Sequence, residues 1–85
     1  MKVYYHPQFR NSYQKLSLNI RKITETKEQI FRKNPFDQRL KTHKLHGPLK
    51  GLYSFWITWN YRVLFEFIGN NKVIFYDVGT HEIYS

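Results

Sequence analysis

Apolar residues recur along the first part of the chain at helical spacing. Phe9, Tyr13, Leu16 and Ile20 follow one another at intervals of three or four, as one face of a helix requires. A short β-type run, KVYY, precedes them and ends at the His6-Pro7 step. A break falls around SLN, where Ser17 and Asn19 are both competent N-caps. A second helix is predicted through IRKITETKEQIFRKN, with Ile20, Ile23, Ile30 and Phe31 on its apolar side. Lys27 interrupts that stripe, its stem snorkelling past the edge. Asn34-Pro35 stops the helix, because proline disfavours helical geometry in the residue before it. Two antiparallel helices and one long kinked helix both satisfy the pattern.

The period then changes. PFDQRLKTHKLHGPLKG is a basic loop with room for a short extended stretch, and beyond Gly51 the chain reads as strand. LYSFWITW, YRVLFEFI and KVIFYDV are aromatic and β-branched, separated by tight-turn residues, so consecutive strands pair antiparallel. Alternation puts Phe55, Ile57 and Trp59, then Val63, Phe65 and Phe67, on a core face. Ser54, Trp56, Thr58, Arg62, Leu64 and Glu66 take the opposite face. The expected fold is α+β: two N-terminal helices packed on one face of a twisted antiparallel sheet of about four strands, the other face open.

Length and charge sharpen this picture. Eighty-five residues make one domain, 1–85, and 19% aromatic content helps so small a chain fill a core. With no cysteine, disulfides and thiolate zinc sites are excluded. No apolar run is long enough to span a bilayer, and MKVYYHPQFR lacks a signal-peptide core, so a soluble cytoplasmic protein without membrane contact is expected. The net charge of +8 is lopsided: residues 1–50 carry twelve of the 14 Lys/Arg and only three of the six acids. Such asymmetry points to an anionic partner, nucleic acid or an acidic protein segment, against the plainer reading of a solvated helical face.

The candidate chemistry is that of phosphodiester cleavage without metal or cofactor. His43 and His46 sit three apart in the loop, but no cysteine or carboxylate pair accompanies them, so they are not read as a metal site. RNA cleaves itself once its 2′-OH is deprotonated and aligned with the adjacent phosphate. A protein need supply a base, an acid for the leaving 5′-oxygen, cations for the phosphorane and a platform for the bases. Histidine suits the proton steps, with a free pKa of about 6.5. Arg62 suits the charge through its fixed fork of donors. Trp56 and Tyr61 are candidates to stack a base, and Lys44 and Lys50 to contact RNA phosphate. Singly, each is an ordinary surface group; together they gather around one strand.

The order of three motifs resembles the RelE/ParE superfamily of bacterial toxins, most closely its YafQ-like (RelE/StbE) branch. These are LHGPLKG, the YRVLF strand and the terminal GTH, and the resemblance spans nearly the whole chain. It implies a toxin of a type II toxin–antitoxin system that cuts mRNA on the ribosome by the 2′-OH route. It implies a cognate antitoxin, acidic and partly disordered, with operator DNA bound only through the antitoxin complex. By the same resemblance His43 and His81 fall on catalytic histidine positions, Arg62 on the catalytic arginine after tyrosine, and Tyr84 near a catalytic tyrosine. Two positions depart from the pattern: Trp56 stands where YafQ-like toxins have a histidine, and Asn60 where they have an aspartate. A ParE-like gyrase-inhibiting toxin and a non-catalytic RNA-binding module are the alternative readings.

Overall fold

His6 and Pro7 set the first corner. In a computed structural model, which describes residues 1–84, strand β1 (Lys2–Tyr5) ends there and helix α1 (Pro7–Lys15) begins. Proline occupies the first helical turn, where its missing N–H is no loss. The His6 Nδ1 accepts the Gln8 N–H at 3.0 Å, capping the helix. Leu16 and Ser17 then leave helical geometry, and α2 (Leu18–Lys33) starts afresh. Of the two competent caps Ser17 serves, its hydroxyl accepting the Ile20 N–H at 3.2 Å, a bond worth about 1 kcal/mol. Of the two arrangements the pattern allows, two separate helices form, and Asn34 ends the second ahead of Pro35.

The sheet has five strands in the order β1-β5-β4-β3-β2, with β2 His43–Lys44, β3 Tyr53–Trp56, β4 Arg62–Gly69 and β5 Lys72–Gly79. The loop's short extended stretch is the two-residue β2, which brings the count to five, and against expectation β1 pairs parallel with β5, Val3 opposite Val73 and Tyr5 opposite Phe75, so the sheet is mixed. Short links predict only consecutive antiparallel pairs. A parallel partner needs a long crossover, here everything from α1 to β4.

Both helices cover one face. The Phe31 ring, fully buried, lies 4.9 Å from Phe55 and from Phe65 and 5.4 Å from Phe75, centroid to centroid. Phe9 reaches Phe75 at 5.5 Å from α1. Such ring pairs contribute about 0.5–1.5 kcal/mol each beyond the area they bury. The alternation holds for Phe55, Ile57, Val63 and Phe65, but fails at Trp59, which is 75% exposed. β3 stops at Trp56, and residues 57–60 turn toward β4 instead of continuing the pleat. Phe67 is only half-buried, with Phe36 stacked over it at 5.8 Å.

A bulge completes the geometry. Phe65 faces Phe75 while Leu64 faces Asp77, so Tyr76 is an extra residue in β5. The bulge sets Tyr76 and Asp77 together on the uncovered face and returns Val78 to the core, opposite Val63. Among the described residues no helix is long and apolar enough to cross a membrane.

Candidate functional site

Register builds the open face in rows. His43 lies opposite Ser54, Ser54 opposite Leu64 and Leu64 opposite Asp77; in the next row Trp56 lies opposite Arg62 and Arg62 opposite Gly79. Paired residues share a face, so one end of the sheet collects an imidazole, a hydroxyl, an indole, a guanidinium and a carboxylate.

His43 owes its place to Lys41, whose left-handed φ of 53° turns the chain into β2. The His43 Nδ1 lies 3.0 Å from the Lys41 carbonyl, which can only accept. In the neutral ring Nδ1 therefore carries the proton, and Nε2 presents a lone pair, 3.4 Å from the Ser54 hydroxyl. Ser54 is buried and the imidazole exposed.

Arg62 is held from two sides. Its guanidinium carbon sits 4.1 Å from the Trp56 ring centroid, a cation–π contact. Its Nη1 donates to the Thr58 carbonyl at 2.8 Å and to the carbonyl of Trp59. Among the described residues the guanidinium's hydrogen bonds all run through Nη1, with Tyr61 supplying a third, longer acceptor at 3.5 Å.

The tail arrives beside Arg62. Gly79 ends β5, and the chain folds into a 3₁₀ turn, His81–Tyr84, with the Ile83 N–H on the Thr80 carbonyl at 3.0 Å. Ile83 packs so closely on Gly79 that a Cβ there would lie 3.0 Å from its Cγ2. His81 is exposed and Tyr84 half-buried. β2 and β5 are three strand spacings apart, roughly 14 Å, so His43 and His81 flank the sheet end with the Arg62 strand between them.

The other sequence candidates lie elsewhere. Lys44 pairs with Tyr53, which puts it on the face opposite to His43. Lys50 belongs to the turn closing the β2–β3 connection, beyond the Tyr53 end of β3 and away from Trp56. Tyr61 packs against the hydrophobic core.

Sequence reading missed Tyr76, Asp77 and His6. The Tyr76 hydroxyl donates to Glu66 Oε1 at 2.7 Å, and the His6 ring lies 5.6 Å from the Tyr76 ring. The Glu66 carboxylate, aided by burial, raises the Tyr76 pKa above its ordinary value and keeps it a donor. The signal was the spacing of Val73, Phe75 and Val78, two residues and then three, which marks the bulge. A separate concavity lined by Tyr5, Phe9, Arg10, Tyr13 and Glu28 lies on the helix side, where Glu28 is engaged by the Tyr5 hydroxyl and by Arg32.

No family model matches the chain, and no curated protein matches it by sequence. Solved structures do. A YoeB/ParE toxin from Agrobacterium tumefaciens superposes with a TM-score of 0.81 at 19% identity, over 95% of this chain and 99% of that one. The fold is RelE/ParE-like. The YoeB of a heterotetrameric YoeB–YefM toxin–antitoxin complex from Staphylococcus aureus gives 0.76 at 20% identity, covering 95% of this chain and 97% of that one. YafQ from E. coli gives 0.71 at 18% identity, covering 98% and 96%. The fold is thus shared over nearly the whole chain, while at 18–20% identity most of the residues set on it differ.

Proposed function

We propose that this chain is the toxin of a type II toxin–antitoxin pair and a ribosome-dependent mRNA endoribonuclease. The observation that carries the reading is the placement of Arg62 between two flanking imidazole-bearing elements at one end of the open face. The RNA phosphate lies over β4, its growing negative charge met by the Arg62 guanidinium. His43 Nε2, the unprotonated nitrogen of the neutral ring, takes the 2′-OH proton. The 2′-oxygen bonds to phosphorus as the bond to the 5′-oxygen breaks, leaving a 2′,3′-cyclic phosphate. The departing oxygen takes a proton from the His81 imidazolium or the Tyr84 phenol. The metal-free, cofactor-free route uses only these groups.

The cognate antitoxin is an acidic segment that folds as it binds, matching the net charge of +8. The toxin–antitoxin complex among the structural neighbours supports that partnership.

The test is cleavage of a defined mRNA on programmed ribosomes, wild type beside His43→Ala and His81→Ala, with free mRNA as control. Ribosome-dependent cuts that fade in both variants are expected. Intact mRNA with a wild-type protein that binds ribosomes discards the nuclease mechanism, and gyrase inhibition becomes the next assay.

A further inference from the structure

Among the described large apolar side chains, Trp59 is the most exposed, at 75%. A single exposed ring is ordinary by itself; what sets this indole apart is the turn that carries it, which is heavily bonded. The Ile57 N–H meets the Tyr61 carbonyl at 2.9 Å, and Thr58 and Tyr61 exchange backbone bonds at 3.3 Å in both directions. The Thr58 hydroxyl accepts the N–H groups of Asn60 and Tyr61, each at 3.2 Å. Ile57 anchors the turn in the core at 2% exposure. The backbone under the indole is therefore fixed by folding, and a partner meeting the ring need not order it first.

The same turn binds the guanidinium. Arg62 Nη1 donates to the carbonyls of Thr58 and of Trp59 itself, so the exposed indole and the fixed cation belong to one rigid unit. A flat apolar ring carried on the turn that immobilises a positive charge, in a chain of net charge +8, matches one chemistry above others: an unpaired base joined to its phosphate.

We infer that Trp59 is a stacking platform for an unpaired RNA nucleobase, next to the phosphate that Arg62 holds. The inference rests on the RNA-cleaving reading and adds a substrate contact to it. Stacking on a single ring is tolerant of base identity, so Trp59 holds the strand in register without selecting its sequence.

The test uses the full chain and a short 2′-O-methyl RNA oligonucleotide of mixed sequence, which binds without being cut. Trp59→Ala is expected to raise Kd by about five- to 150-fold, the range of one base–aromatic stack, and Trp59→Phe to recover most of that loss. The slope of log Kd against log salt should stay unchanged, because no phosphate contact is removed. Since the indole is exposed, both variants should melt with the wild type. A Trp59→Ala Kd equal to wild type, a reduced salt slope, or no binding by wild type overturns the inference. A variant that binds RNA normally but no longer joins a protein partner gives the ring to that partner instead. Cleavage on ribosomes is scored separately: cutting by wild type with a normal Kd in Trp59→Ala sinks the stacking alone, while stacking without cutting sinks the nuclease alone.

Discussion

Arg62 rests its guanidinium on the Trp56 ring at 4.1 Å while Nη1 is tied to the carbonyls of the turn before it. The pair departs from the histidine that the toxin resemblance leads one to expect at position 56. An indole cannot move protons, but it can hold a planar cation at a fixed height above the sheet. In the proposed reaction, proton transfer is thereby left to the edges of the face, where His43 and the tail lie.

The first prediction concerns that pair. Arg62→Lys keeps the charge but loses both the planar stack and the fork, so it should not rescue function. Cleavage on programmed ribosomes should fall by about 10²–10³ in either Arg62→Lys or Arg62→Ala. Near-wild-type cutting by the lysine variant would show that charge alone suffices.

Loss of either flanking imidazole should cost about 10²–10⁴ in cleavage rate. The pH profile separates their roles. His43→Ala should remove the acidic limb, where a base is lost by protonation, and His81→Ala the basic limb, where an acid is lost by deprotonation. Swapped limbs would reverse the assignment of base and acid. If His81→Ala leaves both limbs intact, the acid is Tyr84.

Gly79 is open to a sharper test, because a methyl there meets Ile83 Cγ2 at 3.0 Å. Gly79→Ala should shift Ile83, and with it the 81–84 turn, by a few tenths of an ångström and lower cleavage more than it lowers the melting temperature. Adding Ile83→Ala makes room for the methyl and should restore part of the rate. Equal loss in the single and double variants would mean that the tail's position does not matter.

Tyr76 gives a pH-dependent stability. The carboxylate of Glu66 and burial favour its protonated form in the folded chain, so its folded pKa lies above the unfolded value. That stabilisation is complete below the ordinary tyrosine pKa and is lost as pH rises through the folded one. Glu66→Gln should bring the Tyr76 titration down, read by NMR of labelled tyrosine. It should also flatten the alkaline fall in stability, and an unmoved titration would leave burial as the sole cause.

Much of this architecture was legible in the residues. Helical spacing from Phe9 to Phe31 located the helical stretch and Pro35 its end, while Ser17 and Asn19 offered equal caps and left open whether it broke in two. Phe55, Val63 and Phe65 declared the core face by simple alternation. What stayed hidden depended on partners distant in sequence. KVYY reads as a strand, yet nothing in it names β5 as its parallel neighbour. Trp59 continued an alternation whose strand had already ended, since a period-two pattern carries no stop signal when the turn uses Thr, Trp and Asn. In the candidate site, register sets Trp56 beside Arg62 and His43 one row along on the same face, and the tail follows Gly79. Lys44 fell on the other face because it sits one residue from His43. Asp77 was missed because a bulge, not the pleat, turns it to the open face.

The parallel pairing of Lys2 with Lys72 has a consequence for the order of assembly. The first strand finds its neighbour only after β5 has been made, and Phe75, against which both Phe9 and Phe31 pack, arrives with it. Until then a nascent chain can form its two helices and pair β3 with β4, but the aromatic layer beneath them stays incomplete. Closure across so long a separation is slow relative to local pairing. The open face is therefore completed late, when the strand that carries Asp77 and Gly79 takes its place between β1 and β4.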